Sequence, residues 1–398
     1  MTHHLVVLGA GYAGLAAAGR AARRLASSDV RITLINDGDR FVERIRLHQL
    51  AAGQALRDYP IRSLLAGTGV DLLVGSVLSI DTAAQRVEVQ TGPAMSPAMV
   101  EYDTLVYALG SRADIAAIPG VAHSAHSVAD AGSALRLRSR LPALAADGGT
   151  LAVVGGGLTG IEVATELAES HPALRVQLVS AVAPGDWLSQ RAQRHVQLAF
   201  ERLGIETRTG VLVREVKPGR LLLGGGDQLA ADEIVWAAGF RVNELAAAAG
   251  FAVDERGRMA VDETLRSRSD PNVYGIGDAA AAHVGDALTR MSCQTSLPMG
   301  QHVADVIADR LTGRTPTAFR LRYVWQNISL GRRDAVTQFT HADDSPRWSI
   351  LHGRPAARFK EGIGRSVMVS LRHPGPYRPS GPRSATGRQP ARVSDSLG

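Results

Sequence analysis

The apolar positions of this chain form short continuous runs that alternate with helical repeats. Leu5-Val6-Val7-Leu8 is apolar at every position, which predicts a strand buried on both faces. It enters Gly9-Ala10-Gly11-Tyr12-Ala13-Gly14 and then an Ala-rich helical stretch, before a second run, Val30 to Ile35, ends at Asn36-Asp37. The order recurs: Leu151 to Val154 enters Gly155-Gly156-Gly157-Leu158-Thr159-Gly160, a helix follows to about Ser170, and Val176 to Val179 ends at Ser180. Between the two copies lie strand candidates at Val70–Val77, Arg86–Gln90 and Thr104–Ala108, the last closing in Ala108-Leu109-Gly110-Ser111. After the second copy a matching strand runs from Glu233 into Ala237-Ala238-Gly239. Pro271–Ile276 is a further strand, ending in Gly277-Asp278 ahead of a helix-like run of alanines. The pattern closes with a helix over Met291–Arg310, strands over Arg322–Leu330, Ala335–Phe339 and Trp348–Leu351, and an amphipathic stretch around Ala357–Met368.

This internal repeat predicts an α/β fold with two Rossmann-like dinucleotide-binding domains and a small α+β C-terminal module. Each glycine has a separate physical reason. Gly9 and Gly155 allow the tight turn out of the strand. Gly11 and Gly157 leave room for a pyrophosphate at the backbone, and Gly14 and Gly160 let the helix pack closely on the sheet. A diphosphate then meets the free N–H groups and the positive end of the helix dipole. One such motif is weak; two in matching strand and helix context are specific.

Composition narrows the chemistry. The 398 residues include a single cysteine, Cys293, which excludes a Cys-x-x-Cys redox pair and sites built on several thiolates. Redox work therefore needs a borrowed cofactor, and Cys293 reads as an inert buried thiol. The net charge of +6 is carried almost wholly by arginine, since Lys217 and Lys360 are the only lysines. Half of it sits in the Arg- and Pro-rich stretch 374–398, which has no apolar periodicity and is expected to be a disordered tail rather than a nucleic-acid surface. With no apolar run of bilayer length and no leader-like start, a cytoplasmic protein is expected, with at most peripheral membrane contact.

Taken in order, G-x-G-x-x-G, A-x-G-S, G-G-G-x-T-G-x-E, W-A-A-G and G-I-G-D-A make this sequence similar to the flavoproteins with two dinucleotide-binding domains, and most of all to the type II NADH dehydrogenases. The resemblance spans about residues 4 to 370. It implies a glutathione-reductase-like arrangement: an FAD-binding domain in two parts, 1–117 and 251–318, an inserted NAD(P)H-binding domain, 118–250, a C-terminal module, 319–373, and the tail. FAD would meet Gly9, Gly11, Tyr12, Ala13 and Gly14, with Asn36 or Asp37 at the adenosine ribose. Arg44, Ala108, Gly110, Gly277 and Asp278 would complete its site, Asp278 alternatively capping the alanine-rich helix after it. NAD(P)H would meet Gly155, Gly157, Leu158, Thr159, Gly160, Ala238 and Gly239. Ser180 stands where an NAD-specific site would show an acid, and with Arg191 or Arg194 nearby it leans toward NADPH.

The resemblance also implies candidates for the chemistry: Glu162 near the nicotinamide, His48 (with Arg46) beside the flavin, and Gln294, Tyr323 or Trp325 around the acceptor. Glu162 and Glu166 share a helix face at i, i+4, so one of them reads equally as a solvated helix residue. The family's A-Q-x-A-x-Q-Q-G segment is here Cys293-Gln294-Thr295-Ser296-Leu297-Pro298-Met299-Gly300, which keeps the first Gln and the final Gly and puts Pro298 and Met299 in place of the paired glutamines. The expected function is an FAD-dependent NAD(P)H oxidoreductase passing hydride through flavin to a quinone-like or other small organic acceptor. Alternatives are a tailoring flavoenzyme acting on a specialised metabolite, a reductase for a ferredoxin-like electron-carrier protein, and a redox-sensing, nucleic-acid-binding flavoprotein. No metal is expected, and the oligomeric state stays open.

Overall fold

The computed structural model describes residues 2–27, 29–92 and 96–374. From residue 375 on, the stretch expected to be a tail lies outside the described residues. Two parallel sheets organise the rest. In the first, β1 (His3–Leu8) is flanked by β2 (Val30–Asn36), with β3 (Asp71–Val74) beyond it, and on the other side by β4 (Thr104–Tyr107). In the second, β5 (Thr150–Val154) is flanked by β6 (Arg175–Val179), with β7 (Glu206–Arg208) beyond it, and by β8 (Glu233–Trp236). Strand order and parallel register are thus the same in both halves. Helix α1 (Tyr12–Arg24) connects β1 to β2, as α2 (Leu158–Ser170) connects β5 to β6. Each half also carries a three-stranded antiparallel meander before its last shared strand.

The first sheet has a fifth strand, β9 (Val273–Gly275), paired in parallel with β4. The chain must therefore leave this sheet after β4 and return to it some 160 residues later. The two crossings run side by side, because Ser111–Ala113 pairs antiparallel with Phe240–Val242. After β9 comes α3 (Cys293–Leu311), packed on α1. A Cβ on Gly300 would run into the Ala13 carbonyl oxygen, so this glycine sets how closely the two helices approach. Arg20, 4% exposed on α1, joins Asp305 of α3 at 2.6 Å. The C-terminal module is an antiparallel sheet of β10 (Trp325–Ser329), β11 (Ala335–Thr340) and β12 (Pro346–His352), with α4 (Gly353–Arg372) lying across it. No helix among the described residues is long and apolar enough to cross a membrane.

Three local expectations are corrected. The run Val70–Val77 divides at Gly75 into β3 and a meander strand, Ser76–Asp81, because a side chain at Gly75 would collide with Val89 and Gln90. The alanines after Asp278 form no helix. A single 3-10 turn, Gly277–Ala279, is followed by Ala280–Ala281 pairing with Met259–Ala260, since all these alanines are buried between strands. Asp278 therefore caps no helix. Lastly, neither Glu162 nor Glu166 is solvated: they are 5% and 0% exposed, because β10 and its hairpin cover that face of α2.

Candidate functional site

The two glycine turns open on one cavity of about 2050 Å³, bounded also by the start of α3, β10 and α4. Its size exceeds an ordinary small-ligand pocket of roughly 300–1,000 Å³. At both turns the glycines divide by role. A Cβ on Gly14 would run into the Gly9 carbonyl oxygen, and one on Gly160 into the Gly155 carbonyl oxygen. These two seal helix against turn and do not line the cavity. Gly9 and Gly155 sit at φ +95 and +124, a region open to glycine. Gly11 and Gly157 need neither argument: their φ values are −73 and −72, and a Cβ on either would meet nothing within 4 Å. Both line the cavity at a helix N-terminus. Apart from a mild N-cap preference that Ser, Asn or Asp would satisfy as well, residue 11 and residue 157 have no reason within the fold to be glycine.

Most of the expected site residues converge here. Tyr12, Ala13, Arg44, His48, Ala108 and Gly110 line the cavity with Gly277 and Asp278. The Ser111 hydroxyl donates to Asp278 Oδ2 at 2.6 Å and fixes that carboxylate at the cavity wall. Gly155, Leu158, Thr159, Glu162, Ser180, Ala238 and Gly239 line it as well. Ser180 turns its hydroxyl to the Val182 carbonyl at 2.6 Å. Asn36, Asp37 and Arg191 do not line the cavity. Asn36 holds the first glycine turn instead: its Oδ1 accepts from the Ala10 N–H at 2.8 Å, and its Nδ2 donates to the Gly38 carbonyl. Asp37, Arg191 and Arg194 are exposed. Of the acceptor candidates, Gln294 and Trp325 line the cavity, whereas Tyr323 is buried behind it with its hydroxyl accepting from the Arg290 N–H at 2.9 Å.

A polar cluster is buried in the cavity wall. Glu162 Oε1 accepts from the Ser329 N–H at 3.0 Å and from Lys360 Nζ, while Oε2 lies 3.8 Å from His48 Nδ1. One turn on, Glu166 Oε1 accepts from the Gln54 amide, and its Oε2 has Arg332 at 3.9 Å as its nearest cation. Burial pushes the His48 imidazole down to about 4, against the pull of Glu162. Burial likewise pushes the Glu166 carboxyl up to about 7, although Arg332 opposes it. Cys293 lines the cavity with its thiol pushed up by burial, so it is not a thiolate at neutral pH.

Lys360, Gln54, Arg332 and Arg290 were not singled out by sequence reasoning. Only Lys360 carried a signal, as one of two lysines in an arginine-rich chain. Four buried polar atoms of lining residues have neither a hydrogen bond nor an ion pair among the described residues: Tyr12 Oη, His48 Nε2, Trp236 Nε1 and Asn327 Oδ1; a fifth, Arg290 Nε, makes no hydrogen bond but lies 2.7 Å from Asp344 Oδ2. Orphans of this kind fit a site that receives polar ligand atoms. Among the described residues no cluster suits a metal ion.

His48 and Glu166 act oppositely on stability. The unfolded chain protonates His48 below about 6.5 and the fold resists this down to about 4, so stability is lost as pH falls through that window. The fold keeps a proton on Glu166 that the unfolded chain releases above about 4.5, so stability is lost as pH rises toward about 7. The two slopes nearly cancel between about 4.5 and 6.5. His48→Leu should therefore leave an apparent Tm that falls as pH rises from 5 to 7, and Glu166→Gln one that rises, each by up to about 1.4 kcal/mol per pH unit. Flat melting profiles for both variants would contradict this assignment.

Comparison with known proteins agrees with the geometry. Residues 3–304 match the family model described as pyridine nucleotide-disulphide oxidoreductase. An NADH dehydrogenase-like protein of Mycobacterium tuberculosis is 34% identical over 378 residues, covering 90% of this chain and 92% of that one. A type II NADH:quinone oxidoreductase of Staphylococcus saprophyticus is 26% identical over 397 residues, covering 92% and 95%. Among solved structures, NDH2 of Plasmodium falciparum in complex with NADH shares the fold with a TM-score of 0.80 at 16% identity, over 94% of this chain and 96% of that one. The sulfide:quinone oxidoreductase of Aquifex aeolicus does so with a TM-score of 0.79 at 20% identity, over 93% and 92%.

Proposed function

The chain belongs to the pyridine nucleotide-disulphide oxidoreductase family, and from that premise we propose that it is an FAD-dependent oxidoreductase passing hydride from NAD(P)H to a quinone-like acceptor. The observation that carries this reading is the pair Gly11 and Gly157, glycines that the fold does not require, each facing the same cavity at a helix N-terminus. One dinucleotide pyrophosphate at each accounts for both. Since one cysteine cannot form a dithiol pair, the chain stands apart from the disulfide-reducing members of the family.

The reading assigns the first sheet with α1, Asp278 and the Gly110 turn to FAD, and the second sheet with α2 to the nicotinamide nucleotide. The reading keeps the domain bounds expected from sequence, 117/118 and 250/251, with the chain crossing between the two sheets on the paired strands Ser111–Ala113 and Phe240–Val242. Bound flavin supplies the hydride and electron chemistry. The chain's own residues position and insulate: the helix ends hold the phosphates, and Asp278 offers a fixed acceptor. Lys360 balances the Glu162 carboxylate, and neutral His48 keeps a buried Nε2 without a hydrogen-bond partner among the described residues. With Arg191 and Arg194 both outside the cavity, the lean toward NADPH loses the arginines it rested on, and NADH, named for the relatives, is the donor in this reading. It also takes the enzyme as cytoplasmic with at most peripheral membrane contact.

Anaerobic stopped-flow mixing of purified holoenzyme with NADH and with NADPH, followed at the flavin absorbance, tests the proposal. Rapid bleaching by NADH and recovery of colour on adding a soluble quinone are expected. A protein that retains no flavin overturns it. Reoxidation only by an acidic ferredoxin-like protein would favour the carrier-reductase reading.

A further inference from the structure

Besides the buried cluster, a polar chain joins three parts of the fold. Trp187 Nε1, in the loop after β6, donates to Gln326 Oε1 of β10 at 2.7 Å, and Gln326 Nε2 donates to Asp344 Oδ1 at 3.2 Å. Asp344 Oδ2 lies 2.7 Å from Arg290 Nε, and the Arg290 guanidinium stands 4.4 Å over the Tyr323 ring. Arg290 Nη2 then donates to Gln294 Oε1 at 2.8 Å. Asp344, in the turn between β11 and β12, sits at φ +75, uncommon for a residue with a side chain, so its neighbours must hold it there.

The chemistry of this chain has a direction. A guanidinium can only donate, so the Gln294 amide must turn its oxygen to Arg290. Its NH2 group has no partner among the described residues, and Gln294 lines the cavity. We propose that Arg290, clamped by Asp344 and Tyr323, fixes the Gln294 amide so that this wall presents an N–H donor and selects acceptors offering a carbonyl oxygen. Arg290 and Asp344 are positioning residues here, and Gln294 is the group that meets the acceptor. The inference rests on the quinone-like reading of the acceptor and adds how it is recognised.

The test is a double-mutant cycle on flavin-loaded protein, measuring equilibrium binding of menadione (2-methyl-1,4-naphthoquinone) to the oxidised enzyme. Gln294→Ala and Asp344→Asn are each expected to raise the Kd about tenfold, the loss of one hydrogen bond between neutral groups. The double variant should bind no more weakly than Gln294→Ala, because Asp344 acts through that amide. Gln294→Glu keeps an oxygen toward Arg290 but replaces the donor, and should bind more weakly than Gln294→Ala. Additive losses in the cycle, or Gln294→Glu binding as well as the native chain, would overturn the clamp alone. A native holoenzyme that is reduced by NADH yet neither binds nor is reoxidised by menadione overturns the acceptor reading with it. If Asp344→Asn loses flavin, Arg290→Met closes the same cycle from the guanidinium side.

Discussion

Gly157→Ala is expected to raise the KM for NADH by at least about tenfold while barely moving the melting temperature, and Gly160→Ala, three residues on, to do the reverse through the fold itself. At Gly157 the backbone is ordinary and the space is open, so an added methyl touches no protein atom. It does occupy the path by which a pyrophosphate reaches the helix N-terminus. The fold loses only the small difference between Gly and Ala at an N-cap, up to about 1 kcal/mol. At Gly160 the methyl drives into the Gly155 carbonyl, a backbone atom fixed by the turn. Overpacking of this kind costs about 3 kcal/mol, the upper end of its usual range, and separates α2 from its sheet. Steady-state kinetics with thermal unfolding separates the two. Equal damage to KM and Tm in both variants would mean that residue 157 serves packing, and the argument from open space would fail. Gly11→Ala and Gly14→Ala should repeat the contrast for flavin retention.

Lys360→Met should be among the most destabilising single changes in the chain. Glu162 is 5% exposed and meets Lys360 Nζ, the Ser329 N–H and a His48 held neutral at physiological pH. Removing the lysine strands a buried carboxylate, which costs about 3–5 kcal/mol in buried pairs. Because the Lys360 side chain keeps about a fifth of its surface in water (19%), the lower figure applies, about 3 kcal/mol. Glu162→Gln/Lys360→Met should recover more than half of this, since both charges leave together. Thermal melts of both single variants and the double variant decide it. If the double variant melts no higher than Lys360→Met, the lysine acts by packing α4 on β10 and not by charge.

The parts of the fold that could be read in advance were those governed by local sequence. Continuous apolar runs followed by glycine and a helical repeat made the two βαβ units visible, and the W-A-A-G and G-I-G-D-A turns marked where strands end. Local pattern misled where neighbours decide. Four alanines follow Asp278 and have high helix propensity, yet Ala280 and Ala281 are taken by strand pairing with Met259–Ala260. Glu162 and Glu166 look like one solvated face of a helix until a hairpin from residues 325–340 covers them. Asn36, given by the resemblance, and Arg191, given by its nearness to Ser180, stand outside the cavity: the first braces a glycine turn and the second is exposed.

The sequence alone determined that two dinucleotide turns exist and which helix ends can take phosphate, because each follows from a few adjacent residues and the backbone they allow, and its single cysteine excluded a dithiol redox pair. Only the tertiary structure decided what stands opposite them. Lys360, Arg332 and the Arg290–Asp344 pair reach the cavity, and Gln54 reaches Glu166 beside it, from elements that are distant in the chain, and their effect depends on burial, which no local window contains. The charge state of His48 and the direction of the Gln294 amide are properties of that enclosure, since desolvation and a fixed cation set them after the chain has closed around the site.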